Sequence, residues 1–317
     1  MTGKTPPVPL SVVVMTRDEA ENIQDCLRSL EPFAEIFVVD SGSGDDTARL
    51  AFAAGVRVVP FRWDGRYPKK KQWCLDNLPL RHDWVLFVDA DERVTPALAG
   101  ELRGLVCRGP DAAAYMLDSR PVVLGRVLRF GARFRKVALM HRRRCRFAPC
   151  PDLGIATMWE VEGHYQPVVD GPVGRLRAPL LHADAKPPFA WFERHNRYSD
   201  WEAHLDHGGG RAALLAGEGP WRRALKRVFR RLPCRPGLLF LLEYGLRLGF
   251  LDGRAGLHHA LARAFYYWQV GYKRDWLASR QGRPDDAQSS ESSSSTSPAS
   301  ALISSNARRR TGSSGMR

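Results

Sequence analysis

The segment LSVVVMTRDE at residues 10–19 sets the fold of this chain, and VLFVDADER at residues 85–93 repeats its pattern. In both, a run of β-branched or large apolar residues, typical of a buried parallel strand, ends in a cluster of polar residues. Two shorter apolar runs lie between them, at residues 36–39 and 56–61. Helical patterns separate these runs at residues 19–30, 48–54 and 69–78. This alternation predicts βαβ units and therefore an α/β fold with a mostly parallel sheet.

The composition predicts a folded protein with an anionic partner. Of the 317 residues, 44% are hydrophobic and nine are Trp, which is enough apolar material for a core. Forty-eight basic residues outnumber 34 acidic ones, so the formal net charge is +14. Such an excess indicates nucleotide phosphates, nucleic acid or an acidic membrane surface as the partner. The six Cys contain no C-x-x-C pair, which argues against a zinc knuckle or a secreted disulfide scaffold.

Four segments are predicted along the chain: an N-terminal extension at residues 1–9, a sheet domain at 10–185, a helical, membrane-associating region at 186–280, and a disordered Ser-rich tail at 281–317. The first residues lack the uninterrupted apolar core of a secretory signal, so we expect a cytoplasmic protein. The most apolar later segment, residues 238–251, is too short for a spanning helix and carries two charged residues. We therefore expect no membrane-spanning helix.

Polar residues follow the predicted strands at the edge where the carboxyl ends of parallel strands meet. These residues are Thr16, Arg17, Asp18 and Glu19 after the first strand, Asp40 after the second, and Asp89 and Asp91 after the fourth. Crowded carboxylates repel one another unless a cation neutralises them, and a divalent metal takes oxygen ligands. Asp45 and Asp46, taken singly, are expected as loop or helix-cap carboxylates. Since the chain has neither a P-loop nor a complete dinucleotide fingerprint, the pattern predicts a metal-dependent nucleotide site of another kind.

These strings, together with VVDSGSGDDT at residues 38–47, resemble family 2 glycosyltransferases of GT-A fold in order, spacing and strand context. A fainter similarity at residues 112–182, 194–201 and 249–256 indicates the bacterial branch that contains the lipopolysaccharide-core β-1,4-glucosyltransferases. The resemblance covers roughly residues 10–275 and implies a GT-A, Rossmann-like nucleotide-diphospho-sugar transferase sheet followed by a C-terminal helical region. The implied reaction is inverting transfer of a sugar from a nucleotide sugar, by default a UDP-sugar. The implied acceptor is a hydroxyl of a glycan or lipid-linked molecule in cell-envelope polysaccharide or lipopolysaccharide synthesis.

The resemblance also implies a set of donor-binding residues. By this similarity, Thr16, Arg17, Glu19 and Asp40 hold the base and ribose, Lys71 approaches the donor, Asp89 contacts ribose or sugar, and Asp91 ligates Mg²⁺ or Mn²⁺. The metal would offset charge on the departing nucleoside diphosphate. The branch usually has Lys-Asn-Glu where this chain has residues 17–19. For Lys71, which lies in KKKQW at residues 69–73, a solvated basic face is the alternative.

A carboxylate base for the acceptor hydroxyl is expected within MWEVEGH at residues 158–164, where the branch has Val-His-Glu. Either Glu160 or Glu162 can serve. Because they are two residues apart in an extended segment, only one of them faces the site. Glu160 is preferred, since Trp159 followed by Glu160 most resembles the branch's His-Glu.

One helical segment offers a candidate clamp for the diphosphate or the acceptor. Arg194, Arg197 and Tyr198 are spaced i, i+3 and i+4, which places them on one helix face. An exposed amphipathic helix is the alternative. His164, His182 and Asp184 match no zinc-site spacing, and the histidines are interpreted as satisfied structural residues.

Residues 221–232 are predicted to form a basic amphipathic helix, with an apolar stripe opposite six Arg or Lys side chains. This helix favours an anionic membrane surface, so we expect a peripheral protein on the inner face of the cytoplasmic membrane. A sugar nucleotidyltransferase, which would release pyrophosphate, is the nearest alternative enzyme. A basic nucleic-acid-binding module is the alternative of a different class, but no recognition-helix or zinc-finger spacing accompanies the charge. No nucleic-acid partner is therefore expected.

Overall fold

The computed structural model describes residues 5–131, 134–149, 155, 160–162, 166–207, 221, 224, 229, 232 and 234–281. The described strands are β1 (Val8–Thr16), β2 (Phe33–Asp40), β3 (Arg57–Pro60), β4 (Trp84–Asp89), β5 (Glu92–Val94), β6 (Ala114–Val123), β7 (Arg126–Val127), β8 (Phe134–His141), β9 (Cys145–Arg146), β10 (Val168–Val169), β11 (Val173–Arg175) and β12 (Leu180–His182). The described helices are α1 (Ile23–Leu30), α2 (Thr47–Ala53), α3 (Lys70–Asn77), α4 (Pro96–Arg108), α5 (Pro188–His207), α6 (Arg235–Phe240) and α7 (Gly253–Gln281). A π-helical turn (Leu241–Leu246) and a 3-10 turn (Gly249–Asp252) join α6 to α7. The chain divides into two compact units, Met1–Ala278 and Ser279–Arg317, and the sheet and the candidate site belong to the first.

One mixed sheet contains ten of the described strands, with the order β3-β2-β1-β4-β8-β6-β12-β5 and with β7 and β11 pairing along β6. Strand β1 is parallel to β2 and β4, and β2 is parallel to β3, which confirms the predicted parallel half. From β8 onward the pairing is mixed, because β8 is antiparallel to β4 and β6 whereas β12 is parallel to β6. The register sets Thr16 beside Asp40 and Met15 beside Asp89. The polar ends of three strands therefore meet at one edge.

Strand β1 contributes to a core on each face of the sheet. Val12 and Val14 belong to the core that contains buried residues of α1 and α4. Val13 and Met15 belong to the other core, with buried residues of α3 and with Trp201 of α5. Because both faces are covered, the apolar run of β1 is nearly continuous, as expected for a parallel strand. The edges of the sheet, rather than its faces, are left for ligands.

The first helix begins at Ile23, four residues after the predicted start at residue 19. The intervening backbone is held as a loop by side chains from the start of α2. The Glu19 amide donates to Thr47 Oγ1 at 2.7 Å, and the Ala20 amide donates to an Asp45 carboxylate oxygen at 3.0 Å. Because these two amides donate to side chains, they do not donate the hydrogen bonds of a helix, and α1 begins later.

The segment GFLDGRAG at residues 249–256 joins the C-terminal helices to the sheet. The Asp252 carboxylate accepts hydrogen bonds from the Arg129 and Phe130 amides at 3.0 and 2.9 Å, in the loop that precedes β8. Gly253 has a φ of +62°, a conformation that L side chains rarely adopt. The segment thus anchors the start of α7 on the β7–β8 loop. Among the described helices, none is both long and apolar enough to cross a membrane.

We expect Gly256→Ala to destabilise the protein by at least about 1–3 kcal/mol, the usual cost of overpacking. A Cβ atom on Gly256 would lie 2.1 Å from the backbone oxygen of Gly249, so the backbone would have to move. Gly271→Ala in the same helix is the matched control, because a Cβ there meets nothing within 4 Å. The control should be neutral or stabilising by up to about 1 kcal/mol. Urea unfolding checks both values, and equal stability of the two variants would contradict the close contact.

Candidate functional site

Thr16 and Asp40 form the floor of the site at the ends of β1 and β2. The Thr16 hydroxyl donates to an Asp40 carboxylate oxygen at 2.9 Å, and Ser43 donates to the same carboxylate through its amide at 2.9 Å and its hydroxyl at 2.5 Å. The Gly44 amide donates to Asp18 Oδ1 at 2.7 Å, so the loops after β1 and β2 are interlocked. The buried Asp40 carboxylate is therefore fixed in one orientation.

Asp45 and Asp46 are structural, as predicted. Asp45 accepts hydrogen bonds from the Ala20 and Thr47 amides at 3.0 and 2.9 Å. Asp46 forms an ion pair with Arg49 at 2.8 Å on the surface of α2. Both carboxylates stabilise the loop and the start of α2.

Glu160 lies beside this floor. Its carboxylate is 3.6 Å from Arg17 Nη1 and 3.7 Å from Lys70 Nζ. Lys70 Nζ also donates to the Thr16 carbonyl at 2.8 Å and to Ser41 Oγ at 2.6 Å. Burial lowers the pKa of Lys70, and the Glu160 carboxylate opposes that effect. Arg17, Thr16 and Glu160, all predicted site residues, are thus brought together at the same edge.

Glu162 has a different environment, at the N-terminus of α3. Its carboxylate accepts hydrogen bonds from the Lys71 amide at 2.7 Å and the Gln72 amide at 3.0 Å, in the first turn of the helix. The residue is 1% exposed. Burial raises its pKa, while the two amides and the Lys71 ammonium act in the opposite direction. The geometry is that of a helix cap, in which an acceptor satisfies amides that have no partner within the helix.

Glu162→Ala should therefore reduce stability by about 1–3 kcal/mol, because two buried amides lose their acceptor. Glu31→Ala, which changes an exposed carboxylate at the end of α1, serves as the matched control and should stay within about 0.5 kcal/mol of the wild type. Thermal and urea unfolding measure the difference. A Glu162→Ala variant that unfolds like the wild type would exclude the capping role.

The three lysines of residues 69–71 have three different environments. The Lys69 ammonium lies 5.4 Å from the ring centroids of both Trp63 and Trp201. Lys69 and Lys70 are each 1% exposed and Lys71 is half-buried, so the three lysines do not form a solvated basic face. Burial lowers the pKa of Lys71, and Asp89 is the carboxylate that opposes this most strongly. Lys71 thus lies within electrostatic reach of Asp89.

Asp89 is neutralised by Lys136, a residue that sequence reasoning missed. Lys136 Nζ donates to Asp89 Oδ2 at 3.0 Å and also to the Glu92 carboxylate, and the Asp89 amide donates to Glu92 at 3.0 Å. Burial by itself would raise the pKa of Asp89, but Lys136 and Lys71 hold it below its ordinary value. Residues 119–151 contain ten Lys or Arg and no acidic residue, and this excess was the only sequence feature that indicated a cation for the site. The antiparallel pairing of β8 with β4 places Lys136, rather than one of the other nine basic residues, beside Asp89.

Asp91 and His182 could hold a metal. Asp91 is 8% exposed, and its Oδ1 has no hydrogen-bond partner among the residues that the structure describes. Its Oδ2 lies 3.4 Å from His182 Nε2, and this carboxylate raises the pKa of His182. A buried carboxylate oxygen without a partner is costly unless a cation meets it, so the pair fits a divalent metal. Over the described ranges no group of three or more His, Cys, Asp or Glu side chains could hold a metal.

His182, which sequence analysis interpreted as a structural residue, thus lies beside the predicted site residue Asp91. The sequence did not indicate this contact, because His182 lies 91 positions after Asp91. Strand β12 pairs with β5 so that His182 lies opposite Glu92, which brings the imidazole to the Asp91 carboxylate.

Glu19, expected to hold base or ribose, is instead occupied by protein groups. Its carboxylate accepts hydrogen bonds from Lys186 Nζ at 2.7 Å and Asn22 Nδ2 at 2.8 Å, and Asn22 Nδ2 also donates to Asp184 at 2.9 Å. Burial and the charge of Asp91 raise the pKa of Glu19. These bonds fasten the start of α1 to the segment between β12 and α5.

The candidate clamp on α5 is divided by the structure. Arg194 forms an ion pair with Asp184 and lies 3.8 Å from Glu19. Burial raises the pKa of Tyr198, and the charge of Asp91 acts in the same direction. Arg197 is exposed, whereas Arg194 and Tyr198 are half-buried. The three residues therefore do not form one continuous clamp.

Some predicted features lie outside the described residues. Of the basic helix at residues 221–232, only residues 221, 224, 229 and 232 are described, so its six basic side chains are not. The same holds for residues 156–159 and 163–165 around the two candidate bases, and for the tail at 282–317.

Comparison with known proteins gives a family and several relatives. Residues 11–147 match the family described as Glycosyl transferase family 2. The lipopolysaccharide core biosynthesis glycosyltransferase LpsC of Rhizobium meliloti is 34% identical over 125 residues, which are 38% of this chain and 45% of LpsC. Glycosyltransferase AglJ of Haloferax volcanii is 30% identical over 143 residues, 43% of this chain and 46% of AglJ. Glucosyl-3-phosphoglycerate synthase from Mycobacterium tuberculosis, in complex with Mg²⁺ and uridine diphosphate, aligns with a TM-score of 0.38 and 21% identity over 62% of this chain and 78% of that chain.

The sheet edge and the family match together define a glycosyltransferase fold. Residues 11–147, which include Thr16, Asp40 and the Asp89–Asp91 pair, match the family 2 glycosyltransferase model. The predicted α/β fold, a GT-A sheet followed by a C-terminal helical region, is confirmed. The chain spans less than half the length of the curated relatives LpsC and AglJ.

Proposed function

We propose that this protein is a metal-dependent, inverting glycosyltransferase that moves a sugar from a nucleotide sugar, by default a UDP-sugar, to a hydroxyl of a glycan or lipid-linked acceptor. The observation that carries the proposal is the buried Oδ1 of Asp91, which has no hydrogen-bond partner in the described part of the chain. It lies next to His182, at the edge where Asp40 and Asp89 also end their strands. The family match supports the reaction class. The similarity to LpsC supports a place in lipopolysaccharide or other cell-envelope polysaccharide synthesis.

On the donor side, Thr16, Arg17 and Asp40 hold the nucleoside, because Asp40 Oδ2 accepts one hydrogen bond, from the Ser43 amide, and has a second lone pair for ribose or base. Asp89 contacts ribose or sugar, with Lys71 and Lys136 keeping it ionised. Asp91 and His182 hold Mg²⁺ or Mn²⁺, and the metal supplies Lewis-acid neutralisation of the charge that develops on the nucleoside diphosphate. Glu19 serves to position the loop after β1 rather than to bind the nucleotide.

Two residues of α5 complete this side of the site. Arg194, held by Asp184, adds positive charge near Asp91, and Tyr198 adds a phenol that can donate to a phosphate oxygen. Arg197 is assigned to the exposed surface of α5 and not to the site.

On the acceptor side, Glu160 is the proposed base. It takes the proton from the acceptor hydroxyl as that oxygen attacks the anomeric carbon, and the bond from the anomeric carbon to the diphosphate oxygen breaks. Attack opposite the leaving group inverts the anomeric configuration. Glu162 is less suited to the role, because both of its carboxylate oxygens already accept hydrogen bonds from α3.

The test is a screen of nucleotide sugars for thermal stabilisation and hydrolysis, with and without Mn²⁺. We expect one donor to stabilise the protein only in the presence of the metal, and a nucleoside diphosphate to be released. Release of pyrophosphate would instead identify a sugar nucleotidyltransferase. Failure of every nucleotide sugar to bind would overturn the proposal.

The lipid-linked acceptor implies a location at the inner face of the cytoplasmic membrane, as a peripheral protein. The positive net charge supports an anionic surface as a partner. The basic helix at residues 221–232 is the predicted contact with that surface.

A further inference from the structure

The longest described helix, α7, carries apolar side chains on its exposed side. Leu261, Phe265, Trp268, Tyr272 and Trp276 are each between 43% and 60% exposed. Their spacing of three or four residues aligns them in one stripe, roughly 22 Å long at 1.5 Å per residue. We refer to these five residues as the aromatic face. A surface helix normally points its apolar side inward and its polar side outward, so this arrangement requires an explanation.

The helix already has a buried side, so the aromatic face is an additional apolar surface. Ala260, Tyr266 and Val270 of α7 are buried against the rest of the protein. On the aromatic face, Phe265 stacks on Trp268 at 5.5 Å, and Trp268 stacks on Tyr272 at 5.6 Å. The rings are therefore ordered side by side along the helix while remaining open to solvent.

The aromatic face continues onto the start of α5, close to the candidate site. Phe192 is 48% exposed, and its ring lies 6.3 Å from that of Phe265. Phe189, one turn earlier on α5, is also exposed. Arg194, two residues after Phe192, is paired with Asp184 at the edge of the site. A surface bound at the aromatic face would therefore lie beside the site.

The charge around the face suits an anionic partner. Of the four basic residues of α7 between residues 253 and 278, Arg263 pairs with Glu243 and Arg274 pairs with Asp275, the one acidic residue in that range. Arg254 of α7 and Arg197 of α5 are exposed. A second copy of this chain would bring together two surfaces of the same sign within proteins of net charge +14, which disfavours self-association. Trp and Tyr are enriched at the membrane–water interface, where an apolar ring and a polar group are both accommodated.

We propose that the aromatic face, together with Phe189 and Phe192, is a docking surface for the headgroup region of an anionic lipid bilayer. Helix α7 lies along the membrane with its rings among the headgroups and its cations near lipid phosphates. In this orientation the edge that holds Asp91 and Arg194 is presented to the bilayer surface. Delivery of a lipid-linked acceptor to the site at the membrane rests on the proposed function. The docking of α7 on the bilayer does not.

The test is flotation of the full chain with vesicles of phosphatidylglycerol and phosphatidylethanolamine, and with vesicles of phosphatidylcholine alone. The wild type should float with the anionic vesicles and remain in the soluble fraction with phosphatidylcholine. Trp268→Ser combined with Tyr272→Ser should weaken partitioning to anionic vesicles by about tenfold or more, because two aromatic rings no longer leave water. Phe52→Ser is the control, since Phe52 is an aromatic residue on α2 that is 76% exposed, and it should float like the wild type.

The outcomes separate this proposal from the proposed function. Hydrolysis of the nucleotide sugar in solution should be the same in the double variant and the wild type, since neither residue belongs to the site. Equal flotation of the double variant and the wild type would overturn the docking surface, and equal flotation with phosphatidylcholine would overturn the anionic-lipid assignment. A dimer in light scattering that the double variant abolishes, without vesicle binding, would instead assign the face to a second copy. If the protein binds vesicles as expected but neither binds nor hydrolyses a nucleotide sugar, the docking proposal stands and the proposed glycosyltransferase function is overturned.

Discussion

Asp91→Ala is expected to reduce kcat for sugar transfer by at least about 10³-fold while the protein remains folded. The proposed metal ligand contributes several kcal/mol to transition-state stabilisation, and each 1.36 kcal/mol corresponds to about tenfold in rate. The fold should persist, because Asp91 Oδ1 has no partner among the described residues and its removal empties no apolar core. Thermal unfolding and initial-rate measurements with the identified donor check both parts.

The control for Asp91 is Asp25→Ala, which removes an exposed carboxylate whose ion-pair partner is Arg28 on the surface of α1. It should transfer sugar at the wild-type rate. A readout other than activity is the stabilisation of the protein by Mn²⁺ together with UDP, which Asp91→Ala should abolish and Asp25→Ala should retain. Near-normal, metal-dependent turnover by Asp91→Ala would show that the metal is held elsewhere.

Glu160→Gln is expected to lower kcat by about 10²–10⁴-fold, the usual effect of losing a general base. Donor affinity should change little, because the carboxylate acts on the acceptor hydroxyl. The substitution preserves the size of the side chain and can still hydrogen-bond to Arg17 and Lys70. Steady-state kinetics with varied donor and varied acceptor separate the two effects.

Glu162→Gln is the matched variant for Glu160→Gln, since the two residues are neighbours and the chemical change is the same. It should retain most of the turnover at a temperature where it is folded, with a lower unfolding midpoint. A large loss of kcat in Glu162→Gln, with Glu160→Gln near the wild type, would reverse the assignment. If neither variant loses turnover, the base is another residue.

The fold and the family were predictable because they depend on local patterns that repeat along the chain. A buried parallel strand must be apolar on both faces, and Val12 to Met15 meet that requirement without reference to any other segment. The carboxyl ends of parallel strands meet at one edge, so Thr16, Asp40 and Asp89 could be brought together from their positions after three strands. The loop role of Asp45 followed from its place before a helix.

The partners of these residues could not be predicted, because they come from distant segments and are selected by packing. Lys136 reaches Asp89 only because β8 runs antiparallel to β4, and His182 reaches Asp91 only because β12 pairs with β5. The local sequence shows that Lys136 is the one Lys among the ten basic residues of 119–151, but it does not show which carboxylate it meets.

The same limit applies to residues that the sequence singled out. A period of two separates the faces of Glu160 and Glu162 but does not say which face meets the site. The first turn of α3 decides this, because its amides bind the Glu162 carboxylate. Glu19 likewise has a carboxylate at the predicted edge, but Lys186, which is 167 residues away, occupies it. Strand periodicity and the ends of strands are local properties, so the sequence by itself determined the fold, the family and the edge that carries the site. Ion pairs and caps between distant segments depend on the packed chain, so only the tertiary structure decided which of these carboxylates are open to a ligand.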